Sequence, residues 1–78
     1  MTRELLEYVT PWLVDNPDEI TIDEVEGERD TVVYEVSVHP DDVGKMIGKR
    51  GRIIRSLRVL ARVAGQQQGQ RVMVEVVD

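Results

Sequence analysis

The chain is expected to fold as a two-layer α+β domain with the element order α-β-β-α-α-β. Three observations lead there. Apolar residues recur at helical spacing near the N-terminus and again between residues 40 and 65. Three other segments alternate apolar and polar residues at strand spacing. A polar hairpin connection and a glycine-bracketed basic turn separate them. Three strands with one apolar face must be covered by helices on that face. At 78 residues, one domain over 1–78 is the expectation, because a chain of this size buries about 63 % of its extended surface.

The first helix is expected at about residues 2–14, with Leu5, Leu6, Val9, Trp12 and Leu13 on its core side. Pro11 should kink it, or restart it with Thr10 as the cap. Asp15-Asn16-Pro17-Asp18 reads as a stop and a turn. Ile20 and Ile22 open the first strand, and Val32, Tyr34, Val36 and Val38 form the inner side of the second. Glu26-Gly27-Glu28-Arg29-Asp30 joins them as a hairpin. His39-Pro40-Asp41-Asp42 starts a short helix that Gly48 ends in a left-handed conformation. Gly44 and Gly48, four apart, suggest close packing between helices. A longer helix begins near Arg52, with Ile53, Ile54, Leu57, Leu60, Ala61 and Ala64 in one apolar sector. Gly65 should end it, and Arg71 to Val77 should form the third strand.

Charge is divided along the chain. The net value is -5, yet residues 1–42 carry -11 and residues 43–78 carry +6. Seven basic side chains lie between Lys45 and Arg62. A local field of this kind steers a polyanion even when the whole chain is acidic. No run approaches the roughly 20 apolar residues that span a bilayer, so membrane insertion is not expected. The start lacks a secretory signal pattern and the chain has no cysteine, which places the expectation in the cytoplasm.

The segment Val43-Gly44-Lys45-Met46-Ile47-Gly48-Lys49-Arg50-Gly51-Arg52-Ile53-Ile54 carries the most information. Gly51 keeps side-chain bulk away from the start of the long helix, whose unpaired N–H groups form an anion site. Lys49 and Arg50 add positive charge on the turn, while Arg52 and Arg55 follow in the first helical turn. A phosphate chain is the ligand these features fit. The Walker A pattern fails, because Gly44 and Gly48 are one residue too close and Arg50 stands where Ser or Thr is required. The dinucleotide fingerprint fails as well, since its Gly-x-Gly start is missing.

Ile47-Gly48-Lys49-Arg50-Gly51-Arg52-Ile53-Ile54 resembles the Ile-Gly-x-x-Gly-x-x-Ile signature of KH domains. In that family the GXXG loop clamps about four nucleotides of single-stranded nucleic acid. The similarity runs from about Glu4 to Val77, and the element order matches the type II arrangement found in small stand-alone bacterial members. It implies a three-stranded mixed sheet with helices packed on one face. It also implies that Gly48, Lys49, Arg50 and Gly51 form the loop that contacts RNA, with Ile47, Ile53 and Ile54 supporting it. The residues themselves add Arg52 and Arg55, nearest the loop, as phosphate contacts, Met46, Ile47 and Ile53 as apolar surface for bases, and Lys45 beside the groove. Implied partners are single-stranded RNA, a second copy, and a larger bacterial protein containing KH and R3H domains. RNA-chaperone or regulatory roles, and links to cell elongation, cell shape and division, belong to the same resemblance.

Other readings fare worse. His39 is the only histidine and cysteine is absent, so neither a zinc set nor a Ser-His-acid triad assembles. No catalytic residue, cofactor or metal is expected. Tyr8, Trp12 and Tyr34 form no aromatic platform. Arg58 and Arg62 read as a solvated face that adds to the field. Val59 and Val63 fall outside the core sector and suggest a self-complementary contact between two copies. The rival function is a protein-interaction and dimerisation module with little direct RNA binding.

Overall fold

The computed structural model describes residues 1–77. The first helix, α1 (Thr2–Leu13), buries Thr2, Leu6 and Thr10. A 3-10 turn at Pro17–Glu19 leads into β1 (Thr21–Glu26), which pairs antiparallel with β2 (Thr31–Ser37). Ile22 stands opposite Val36, and Val25 opposite Val33. The connection is tight: the Gly27 N–H donates to the Thr31 carbonyl at 2.7 Å, and the Thr31 N–H to that of Glu28 at 3.0 Å. Arg29 and Asp30 take positive φ values there.

A 3-10 turn at Pro40–Asp42 precedes α2 (Val43–Ile47), and a second at Lys49–Gly51 joins it to α3 (Arg52–Gln67). The last element, β3 (Arg71–Val77), runs parallel to β2 with Val72 beside Val32 and Val74 beside Tyr34. The sheet order is β1-β2-β3. It is mixed, as the expected α-β-β-α-α-β arrangement requires, because the α2–α3 crossover returns the chain parallel to β2. The helices cover one face. Tyr34, Val36, Val72 and Val74 meet Leu6, Met46, Ile54, Leu57 and Ala61 in the core. This is the type II KH topology.

Several expectations change. α1 passes through Pro11 without a break, and Thr10 is buried inside the helix rather than capping a new one. Proline forfeits a single bond to the Glu7 carbonyl, and both residues are exposed in the last turns. Trp12 is not in the core: it is 78 % exposed. The side of α1 that packs inward is lined by Thr2, Leu6 and Thr10, small enough for close approach, and Trp12 lies across the helix from them. Leu60 sits at the border of the α3 apolar sector and is 48 % exposed.

Gly65 does not end α3. It lies inside the helix, where an added Cβ would meet Val72 Cγ2 at 2.5 Å and the Gln70 carbonyl at 2.8 Å. The helix continues because Gln66 and Gln67 are good helix formers. It stops at Gly69, whose φ is +67°. The Gln70 N–H then bonds the Gly65 carbonyl at 2.8 Å and the Gly69 N–H bonds that of Gln66 at 3.0 Å, the Schellman pattern. Gly44, expected to pack closely, would place a Cβ in open space. Only Gly48 of that pair makes a close approach, against Ile53.

Candidate nucleic-acid interface

The turn between α2 and α3 is built by backbone choices at three of its four residues. Gly48 adopts φ 78°, ψ 173°, a region open essentially to glycine alone, and not the left-handed helical conformation expected of it. Arg50 and Gly51 take the left-handed conformation instead, at φ 58°, ψ 27° and φ 73°, ψ 17°. The Gly48 N–H closes α2 on the Gly44 carbonyl at 2.9 Å, and the Gly51 N–H bonds the Gly48 carbonyl at 3.1 Å. A Cβ on Gly48 would fall 2.6 Å from Ile53 Cγ1 and 2.9 Å from the Ile53 backbone nitrogen. Ile53 therefore packs on the bare glycine, which locks the turn against the first residues of α3.

Positive charge gathers on this backbone. Lys49, Arg50 and Arg52 are exposed. Arg55 folds back, with Nη1 at 3.3 Å from where a Gly51 Cβ would lie. Among the described residues, none of these four joins an ion pair. The positive end of a helix of 16 residues lies beneath them. Arg50, a non-glycine residue in the left-handed region, stores about 1–3 kcal/mol of backbone strain. Ile47 and Ile53 are half-buried beside the turn, whereas Met46 and Ile54 are buried in the core.

Lys45 is placed differently. Its Nζ donates to Asp15 Oδ2 at 2.7 Å and to Asp42 Oδ1 at 3.3 Å. Asp42 is fully buried, and its Oδ2 accepts from the Asn16 backbone N–H and from Asn16 Nδ2, both at 3.0 Å. Burial pushes the Asp42 carboxyl up, but the Asn16 amide, the backbone N–H groups of Asp15 and Asn16 and the Lys45 ammonium together bring it below its ordinary value. The hydrogen bonds to Asp15 and Asp42 raise Lys45. This network pins the single turn of α2, and with it the glycine turn, to the segment after α1. Sequence reasoning placed Asp42 only as an acid at a helix start. The signal that could have found its role is Lys45 three residues later, on the same helical side.

Arg58 and Arg62 do more than face water. Arg58 Nε donates to the Val74 carbonyl at 3.2 Å, on the unpaired edge of β3. Both arginines line a cavity of about 80 Å³ with Val72, Met73 and Val74. Arg62 continues into a groove of about 360 Å³ bordered by Thr31, Gln66, Gln70, Arg71, Val72 and Met73. A cationic helix flank thus runs from the glycine turn beside a strand edge that offers backbone donors and acceptors. Val59 and Val63 stay clear of this groove, on the exposed side of α3.

Residues 3–76 match the KH domain of the KhpA/KhpB family. The chain belongs to that family. It is 41 % identical over 75 residues to the RNA-binding protein KhpA of Clostridium acetobutylicum, covering 96 % of this chain and 99 % of that relative. Against the RNA-binding protein KhpA of Aquifex aeolicus the identity is 42 % over 76 residues, covering 97 % and 95 %. Against that of Borreliella burgdorferi it is 41 % over 75 residues, covering 96 % and 90 %. The KhpA/KhpB membership accounts for the topology. Like other KH domains, this one is a noncatalytic binding module. Among the described residues, no group of three or more His, Cys, Asp or Glu could hold a metal ion. Among the described residues, no helix is long and apolar enough to cross a membrane.

Proposed function

We propose that this chain, a single domain over 1–78, binds short single-stranded RNA in the cytoplasm as an RNA chaperone or regulatory adaptor. One observation carries the reading: the Gly48–Gly51 turn holds cations that have no ion-pair partner among the described residues, over a backbone whose two glycines present no side chain to an approaching strand. Membership of a family whose relatives are named RNA-binding proteins supports it. Phosphates lie against Gly48 and Gly51, held by Lys49, Arg50, Arg52 and the positive end of α3. Bases then rest on the half-buried Ile47 and Ile53, backed by Met46 and Ile54. Lys45 supports the turn through Asp15 and Asp42 rather than through RNA.

A second reading draws on the exposed stripe of Val59, Leu60 and Val63, which suits a protein contact: a second copy, or a larger protein with KH and R3H domains. In that reading the chain is chiefly a dimerisation module of a regulator of cell elongation or division. Titration with mixed-sequence single-stranded RNA and its duplex over a salt series separates the two. Three phosphate contacts give a log–log salt slope of about -2 for the single strand, with weaker binding to the duplex. Salt-insensitive binding, or preference for the duplex, refutes the clamp.

A further inference from the structure

We propose that the bare face of the sheet docks a basic segment of a second protein, with an apolar side chain on Val25, Val33 and Met73 and lysines or arginines over Asp23, Glu35 and Glu75. The helices pack on the face presented by Tyr34, Val36, Val72 and Val74, so the alternate residues of each strand look the other way. The strand register sets those residues in bands across the sheet. Val25, Val33 and Met73 form one band. Asp23, Glu35 and Glu75 form the next, about 6.6 Å further along the strands. Val25 and Met73 are 40 % and 52 % exposed, and Val33 between them is half-buried. A hollow of about 340 Å³ opens beside the apolar band, bordered by Gly27, Thr31, Val33, Arg71 and Met73. It has room for an aliphatic side chain.

Charge selects the occupant. Three carboxylates stand directly opposite one another on neighbouring strands, where like charges destabilise a sheet. Among the described residues none of the three joins an ion pair, so nothing in the chain offsets their repulsion. They do not form a metal set either. An acidic band alone would only keep the face wetted, and an apolar band alone would take any greasy surface. Side by side they select a segment that carries an apolar residue next to cations, and they reject neutral or acidic ones. RNA is repelled from this face, whereas the glycine turn and its cations belong to the helical layer. The inference therefore goes beyond RNA binding: it gives the domain a protein ligand on the side away from the nucleic acid.

The probe is a short synthetic peptide of leucine, lysine and serine, titrated without RNA into the isotopically labelled full chain and followed by amide chemical shifts. Shifts should concentrate at residues 23–25, 33–35 and 73–75 and leave the α2–α3 turn unmoved. Exchanging the peptide's lysines for glutamine, or its leucines for serine, should each weaken binding about tenfold. Glu35→Gln with Glu75→Gln should weaken it to a similar extent. The same pair should raise the melting temperature of the free chain, because the cross-strand repulsion is relieved. Glu7→Gln with Asp18→Asn removes the same charge away from the sheet and should leave peptide binding unchanged. Equal losses in the two pairs, or shifts spread over the whole acidic surface, would reduce the effect to general attraction and overturn the inference. So would shifts on α3, an absence of binding at millimolar peptide, or a melting temperature that falls in the Glu35, Glu75 variant. Self-association of the free chain that disappears in that variant would make a second copy the occupant and overturn the choice of partner. The glycine turn is untouched by any of these results, since the RNA titration tests it separately.

Discussion

Replacing Gly48 with alanine tests whether the turn owes its shape to a bare backbone. Alanine at φ 78°, ψ 173° costs about 1–3 kcal/mol for the conformation alone. Its Cβ would lie 2.6 Å from Ile53 Cγ1, 2.8 Å from Ile53 Cβ and 2.9 Å from the Ile53 backbone nitrogen. The last of these cannot rotate away, so crowding adds about 1–3 kcal/mol. Reduced freedom of the unfolded chain returns about 0.4–1 kcal/mol, which leaves a net loss of about 1–6 kcal/mol. Domains of this length have about 4–12 kcal/mol in total, so the loss is a large share of it. Gly69→Ala is the internal control. It also sits at positive φ, +67°, but no atom lies within 4 Å of its added Cβ, so the left-handed cost of about 1–2 kcal/mol applies without crowding and is offset by the same unfolded-chain return of about 0.4–1 kcal/mol. With about 4–8 °C lost per kcal/mol in a domain this small, thermal melts by circular dichroism should show a fall for Gly48→Ala at least twice that for Gly69→Ala. Equal falls would refute the argument that Ile53 packing sets the turn.

Gly65→Ala should lower the melting temperature, because crowding against Val72 and the Gln70 carbonyl outweighs a helix-propensity gain of about 1 kcal/mol. Gly44→Ala, in open space, should instead stabilise by about 0.5–1 kcal/mol, and the same melts check both. The Asp42 network predicts a pH dependence with a definite sign. Asp42 is held below its ordinary 3.8, so its contribution is full above that value and is lost as pH falls through the folded value. Lys45 is raised above 10.5, so its contribution is full below that value and is lost as pH rises through the folded one. Asp42→Asn should lower the neutral melting temperature and flatten the acid limb, and Lys45→Met should flatten the alkaline limb; unchanged limbs contradict the network.

Element order and the glycine turn were legible because each rests on local pattern. Alternation in Val32–Val38 and in Val72–Val76 reports a half-covered sheet directly, and two glycines around two cations report a turn that meets an anion. The misplaced residues depend on information that one helix does not contain. Trp12 is apolar and shares a broad sector with Leu5, Val9 and Leu13, and only the closeness of α1 to its neighbours selects Thr2 and Thr10 as the inner residues. Leu60 lies at the sector's margin, where a few degrees of helix rotation decide exposure. Gly65 looked like a stop because a helical glycine and a terminal glycine have the same sequence signature; Val72, seven residues on, is what requires it. Asp42 was hidden by chemistry. A buried carboxylate is expected only where partners are assembled, and Asn16 lies 26 positions away.

The central claim is that Gly48–Gly51 is a phosphate clamp, and the most direct measurement is RNA affinity of the Lys49→Asp, Arg50→Asp double variant. Both side chains are exposed and take part in no ion pair among the described residues, so circular dichroism and melting should stay close to the parent. Removing two cations and adding two anions beside the strand should abolish most single-stranded RNA binding and flatten the remaining salt dependence. A folded double variant that binds single-stranded RNA as tightly as the parent, with the same salt slope, would contradict the account.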